Sequence, residues 1–479
     1  MSDLLKIAAA LLVLALGSRF DAWGAPPKSG GKVFPYPVHE TILDNGLKVI
    51  AVPFDSPGLI ACWTIVRTGS RNEIEPGKSG FAHFFEHMMF RGTDRYSREK
   101  YNDVFKELGS DHNAFTSDDF TAYHALAPAM ALEQVLDLES DRFMNLKYTA
   151  DDFKKEAGAV LGEYNKNASN PFLLLLEKLR DTAFTRHSYK HTTMGFLKDI
   201  EAMPDQYEYS LTFFDRFYRP ENSVLLVVGD VDPKKLATLA RKYFGGWKRG
   251  SYKFDVPAEP PQTAEKRIDL TWPNPTQPYL YIGYHTPAFS TTSKQMPALD
   301  LVSQMLFSDA APLYQKLVVE EQEVDLLSGG ASDHRDPYLF EIVARVKRPD
   351  RVAYVEAAIG AALEEIKTKP VEMARLQRVQ SHMKYSYAMG LSTAGSVASG
   401  LAHYLMLTGD PESVNQVYAL YDQVTPEDLR AAAASCFLPA GRTVVTLRFA
   451  GDAPASGGSA PATGAAAPGA GAAAGRGRR

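Results

Sequence analysis

Cysteine is nearly absent: the 479-residue chain has two, Cys62 and Cys436, in different halves and each in an apolar context. That excludes a disulfide framework and a cysteine-ligated metal centre. It leaves one long-range bridge or, as the apolar surroundings favour, two buried free thiols. An excess of positive charge is missing too. With 52 Lys and Arg against 57 Asp and Glu, the net charge of −5 offers no electrostatic footprint for nucleic acid. A long apolar run is lacking as well, since Ile7 to Gly17 is too short to cross a bilayer comfortably. With Lys6 before it and Ala22-Trp23-Gly24 after it, residues 1–25 read as an export signal cleaved before Ala25. Arg19 and Asp21 are untypical beside a cleavage site and keep an uncleaved anchor or a buried helix open. Cleavage would leave no stable membrane span and a protein that is periplasmic or secreted.

The composition is that of a globular chain, 45% apolar and 23% charged, long enough for two or more domains. After a Pro/Gly/Lys linker at 26–35, Asn45-Gly46 marks a turn into a strand, and Leu59 to Val66 reads as a second strand. Phe217 to Asp232 reads as a Pro-stopped helix, a buried apolar strand and the approach to a further helix. Cys436 to Leu447 repeats that layout after a helix start at Thr425. The expectation is two related halves, 36–255 and 271–450, joined by a Pro-rich linker at 256–270. The fold class is α+β, each half a sandwich of an antiparallel-rich sheet with helices on one face. The Ala/Gly/Pro tail 451–479 is assigned no fold.

The chemistry is concentrated in Gly80-Phe81-Ala82-His83-Phe84-Phe85-Glu86-His87-Met88-Met89-Phe90. On a helix, His83, Glu86 and His87 at i, i+3 and i+4 share a face. Two imidazoles one turn apart can ligate one zinc, with the intervening carboxylate left to take a proton from water. A third ligand is needed. The segment from Asp151 to Glu163, with Thr149 as N-cap, carries Glu156 and Glu163 seven residues apart and so on one face. They lie about 10 Å apart along the axis, so one can be a ligand and the other an outer carboxylate, and spacing alone does not choose. His112, His124, His187 and His191 do not share the motif's spacing and read as ordinary strand or loop histidines.

His83-x-x-Glu86-His87, with Glu156 and Glu163 further on, resembles the M16 metallopeptidases of the pitrilysin, insulinase and mitochondrial-processing-peptidase type. The resemblance implies the LuxS/MPP-like metallohydrolase fold, one zinc ion per chain held by His83, His87 and Glu163, Glu86 as general base and Glu156 as a supporting carboxylate. Phe90-Arg91-Gly92-Thr93 matches a family stretch whose Phe lines a substrate pocket. Gly109-Ser110-Asp111-His112-Asn113-Ala114-Phe115-Thr116 matches an edge strand on which Asn113 and Ala114 would hold extended substrate by β-augmentation, with Ser110 in place of a second glycine.

One departure bears on assembly. Family members that act alone carry an Arg and a Tyr, seven residues apart, in the second half to bind substrate and the developing oxyanion. Anchored on Leu313-Tyr314-Gln315-Lys316-Leu317, those positions hold Val318 and Asp325, neither of which donates a hydrogen bond at neutral pH. The resemblance therefore implies an M16-like partner subunit in a heterodimer, unless Arg335 and Tyr338 serve and the chain acts as a homodimer. The competing readings are a non-catalytic scaffold of the same fold and a subunit that captures peptides without cutting them. The first is disfavoured because every metal residue is present.

Overall fold

The computed structural model describes residues 32–452; the expected export signal, most of the 26–35 linker and nearly all of the tail lie outside the described residues. The N-terminal half runs β1 (His39–Ile42), β2 (Lys48–Pro53), β3 (Leu59–Val66), α1 (Phe81–Met88), α2 (Arg98–Glu107), β4 (Asp111–Thr116), β5 (Thr121–Pro128), α3 (Leu132–Asn145), α4 (Ala150–Asn167), α5 (Pro171–Ala183), α6 (Leu197–Ala202), α7 (Tyr207–Phe217), β6 (Ser223–Gly229) and α8 (Pro233–Phe244). The C-terminal half runs β7 (Lys266–Trp272), β8 (Tyr279–His285), α9 (Gln295–Phe307), β9 (Val324–Ala331), β10 (Leu339–Val346), α10 (Val352–Thr368), α11 (Met373–Gly390), α12 (Ala394–Thr408), α13 (Ser413–Gln423), α14 (Pro426–Cys436) and β11 (Arg442–Phe449). Among the described residues no helix is long and apolar enough to cross a membrane.

The two sheets are built alike. One is ordered β1-β2-β6-β3-β5-β4 and the other β7-β11-β8-β10-β9. Leaving out β1, both follow the order first, fifth, second, fourth, third, with the first and fifth strands parallel and every other pair antiparallel. The continuous apolar run of β6 is buried throughout, as expected for a strand covered on both faces.

Each half's own helices lie on one face of its sheet, and the other face is closed by a helix from the opposite half. Helix α12 packs on β3 and β6, whereas α5 packs on β8 and β11. The apolar core consequently runs through both halves, from Ile50, Trp63 and Leu226 to Leu401, Leu405 and the C-terminal sheet. Polar contacts reinforce the exchange. Arg67 donates to the carbonyls of Met406 and Leu407 at 3.1 and 3.2 Å, and Asp118 accepts from Arg180 of α5 at 2.8 and 3.0 Å while pairing with His334 Nε2 at 3.1 Å. Strand β7 begins at Lys266, inside the stretch read as linker. Before it, Glu259 accepts from the backbone N–H groups of Thr185, Arg186 and His187 and so fastens the connection to the end of α5. Cys62 and Cys436 are both free and buried, the outcome the apolar contexts favoured.

Candidate metal centre

Helix α1 is fixed at its start by two devices. Gly80, its N-cap, has φ of 91°, and a Cβ there would lie 2.7 Å from the Met194 carbonyl oxygen, so only glycine fits the turn. The fully enclosed Glu73 carboxylate accepts from the N–H groups of Gly80 and Ala82 at 2.7 and 2.6 Å, filling donors that a helix start leaves open. Phe81, Phe84, Phe85 and Met88 are buried against α4, α7 and the sheet, which turns His83, Glu86 and His87 to the opposite side. Helix α4 is started by a reciprocal cap between Thr149 and Asp152.

Between the two helices, His83, His87 and Glu163 come together. Glu163 Oε2 lies 3.6 Å from His83 Nε2 and 3.3 Å from His87 Nε2, and one donor atom from each residue falls within 4.8 Å of the others. Tetrahedral zinc with bonds of 2.0–2.1 Å spaces its ligands by about 3.4 Å, so this donor set fits a zinc ion. Glu156, one turn-pair earlier on α4, is placed elsewhere: its Oε1 meets His87 Nδ1 at 2.9 Å and its Oε2 accepts from Arg91. Glu156 thus fixes the ring of His87 from behind, whereas His83 Nδ1 has no hydrogen-bond partner among the described residues. Glu86 turns toward the sheet, where Thr116, the last residue of β4, donates its hydroxyl to Oε2 at 2.7 Å.

The electrostatics follow from burial and neighbours. Desolvation raises the Glu86 carboxyl above its ordinary range, opposed in part by the Thr116 hydroxyl. Burial works against protonation of His87, but hydrogen bonds to Glu156 and Glu163 carry it up to about 9. Burial and the neighbouring His87 push His83 down, while the hydrogen bond with His87 leads in holding Glu163 below the usual carboxylate range. A cation bound at Nε2 of His87 needs that nitrogen without its proton, so metal binding here competes with protonation.

Among the described residues, strand β4 is the free edge of its sheet, paired only to β5, with Asn113 opposite His124 and Ala114 opposite Tyr123. Ala114 and Thr116 face α1, so alternation turns Asn113 and Phe115 to the other side, where Asn113 Oδ1 accepts its neighbour's N–H at 2.9 Å. Phe90, half-buried, lies 5.2 Å from the buried Arg142 guanidinium and forms one wall of a cavity of about 250 Å³ completed by Glu86, His87, Arg91, Arg98 and Glu156. The other histidines stay apart: His112 stacks on Phe105, His124 on Trp63, His187 pairs with Asp336, and His191 lies beside Glu73. Val318 sits in the π-helical turn Gln315–Glu320 and Asp325 pairs with Arg345. Arg335 donates its backbone N–H to Asp119 and a guanidinium N–H to the Arg67 carbonyl at 3.4 Å, and Tyr338 stacks on His334 at 3.6 Å, both between the halves and neither touching the His83 cluster among the described residues.

Three residues at this site were not read from the sequence. Arg91 had a usable signal, four residues after His87 and just past the Met88 end of α1, and Thr116 had one in the two-residue period of β4. Glu73 had none, because a loop separates it from the helix it caps.

The comparisons agree with this geometry. Residues 58–196 match the profile of the Insulinase (Peptidase family M16) domain and residues 206–383 that of the Peptidase M16 inactive domain. The zinc protease PqqE of Helicobacter pylori is 28% identical over 451 residues, 91% of this chain and 97% of that protein. A zinc protease of Streptomyces coelicolor is 24% identical, over 83% of this chain and 86% of its own. Among solved structures, a Helicobacter pylori protease superposes with a TM-score of 0.81 at 26% identity, covering 86% of this chain and 99% of that one. The periplasmic protease PqqL from Escherichia coli shares the fold, with a TM-score of 0.69 at 21% identity, covering 86% of this chain and 47% of that one. Two matched profiles in sequence order, a repeated sheet topology and a His-x-x-Glu-His helix facing a glutamate from a second helix make the chain a member of the M16 peptidase family.

Proposed function

We propose that the protein is an exported zinc-dependent endopeptidase that hydrolyses peptides or unstructured polypeptide segments, working with an M16-like partner chain. The observation that carries this reading is the convergence of His83, His87 and Glu163 beside a desolvated Glu86. His83, His87 and Glu163 would hold one zinc ion, which when bound supplies a Lewis acid that polarises the scissile carbonyl and acidifies water. Glu86 takes a proton from the attacking water on its carboxylate and delivers it to the departing amine nitrogen, a task that its raised proton affinity suits. The Thr116 hydroxyl holds that carboxylate in place. Glu156 acts through His87, orienting its ring, and is a positioning residue. The unpaired edge of β4, with Asn113 and Ala114, would align an extended substrate by main-chain pairing, and Phe90 would wall a pocket for one of its side chains.

The partner follows from what the C-terminal half lacks. Val318 and Asp325 offer no oxyanion donor, and between the halves the Arg335 guanidinium donates to the Arg67 carbonyl while Tyr338 stacks on His334. Because the two halves share one core, the second wall of a substrate chamber, and its Arg and Tyr, are assigned to another chain. Export rests on the signal-like residues 1–25, and a distant structural relative is itself described as periplasmic. The division into 36–255 and 271–450 joined by 256–270 is proposed as the domain plan, with the second half's first strand, β7, starting already at Lys266.

The test is hydrolysis of a long unstructured peptide by zinc-loaded wild type and Glu86→Gln, each with and without a candidate M16-like partner. Cleavage by the wild type that Glu86→Gln abolishes, with zinc retained, supports the reading. Equal activity in both proteins would overturn the role of Glu86.

A further inference from the structure

The cavity beside the metal centre is bounded by Glu86 and His87 themselves, which puts it within reach of a side chain flanking a peptide bond presented to Glu86. Its lining is unusual in charge. Two guanidiniums, Arg91 and Arg98, face two carboxylates, Glu86 and Glu156, but these groups are not equally free. Glu156 is consumed by His87 and Arg91, and Glu86 is held by Thr116. The neighbouring cations Arg95 and Lys147 are likewise paired, with Asp137 and Asp94. Arg98, exposed at the first position of α2 and shared with a second small cavity lined by Ser97, Glu99, Lys147 and Asp152, has no carboxylate partner among the described residues.

We propose that Arg98 selects an acidic side chain, Asp or Glu, next to the scissile bond. This rests on the peptidase reading above and names the substrate class it serves. An incoming carboxylate loses part of its hydration on entering a cavity walled by Phe90, a loss offset only where a cation awaits it; Arg98 is that cation, and its planar fork suits two-point contact with a carboxylate. A lysine or arginine entering the same space would meet Arg98 and Arg91, and Glu86, one oxygen of which accepts from Thr116, is the one lining carboxylate not already paired to a cation. A neutral aromatic side chain could lie between Phe90 and a guanidinium, which makes it the competitor to be measured.

The test uses the full chain, zinc-loaded and with its partner where one is required, on unstructured synthetic peptides whose cleaved bond has been mapped by mass spectrometry. Each residue flanking that bond is varied in turn as Glu, Gln, Lys or Phe. On one side, the wild type is expected to favour Glu over the isosteric Gln by about fivefold in kcat/KM, Arg98→Gln to bring that ratio near one, and Arg98→Glu to favour Lys over Glu. Zinc content should stay unchanged in both variants. A wild-type preference for Phe over Glu, or a Glu-to-Gln ratio that Arg98→Gln does not move, would overturn the assignment of Arg98 while leaving the peptidase reading intact. Absence of cleavage of every peptide would overturn both.

Discussion

Helix α1 in the N-terminal half and helix α9 in the C-terminal half hold the same place in the same strand order, between the second and third strands of their sheets, yet only one is equipped for chemistry. Helix α1 turns two imidazoles and a carboxylate away from its apolar face. Helix α9 is apolar nearly all round, burying Met296, Leu299, Leu301, Val302, Met305 and Phe307, and its single ionisable residue, Asp300, is hydrogen-bonded by Tyr421. The partner helices differ in step. Helix α4 brings Glu156 and Glu163, whereas its counterpart α11 contains no Asp or Glu and buries Gln380 to satisfy the Tyr421 and Val424 carbonyls. The start of α1 is clamped by Glu73, while Lys294 at the start of α9 makes no side-chain cap. The same topology thus carries a cluster of candidate metal ligands once and apolar packing once, so the chemistry on offer follows the side chains grafted on the frame rather than the frame itself.

The largest difference expected between the halves is catalytic. Glu86→Gln should lower kcat by about 10²–10⁴-fold with zinc retained, the range for losing a positioned general base. Asp300→Asn, at the equivalent helix, should leave kcat within about twofold; a comparable loss would mean that the C-terminal helix takes part in the reaction. Next in size is Thr116→Val. Losing a hydrogen bond to a charged group costs about 1.5 kcal/mol, so kcat should fall about tenfold with KM and zinc content unmoved. Thr116→Ser should restore it, and a change in KM alone would show that the hydroxyl serves binding instead.

How much of this was legible before the structure depends on the kind of signal. Strand β3 is bounded at Leu59 and Val66 as its apolar run suggests, and the caps at Ser97, Thr149 and Thr425 each accept the backbone N–H that starts a helix. These are local, and local spacing also brought His83, Glu86 and His87 onto one face. Spacing could not choose between Glu156 and Glu163, because that choice depends on where α4 crosses α1, a long-range property. The exchange of α5 and α12 was hidden for a similar reason.

The smallest expected effect concerns the join between the halves. Burial opposes protonation of His334, but the Asp118 carboxylate outweighs it and raises its pKa in the fold. The groups facing it are Asp118, Asp119, Tyr189, Tyr338 and the Ser332 carbonyl. Because the folded value exceeds the unfolded value of about 6.5, the stabilisation is complete below that pH and is lost as pH rises through the folded value. Wild type should lose stability across that window. Thermal unfolding of His334→Gln should be flatter there, and identical slopes would place the pH dependence elsewhere.

The account depends most on which carboxylate of α4 meets the ion. Zinc content and affinity should be measured for wild type, Glu163→Gln and Glu156→Gln after removal of metal and titration with zinc alone. One ion per wild-type chain, none retained by Glu163→Gln, and binding weakened about 10–100-fold in Glu156→Gln are expected. Zinc held by Glu163→Gln as tightly as by wild type would contradict the assignment.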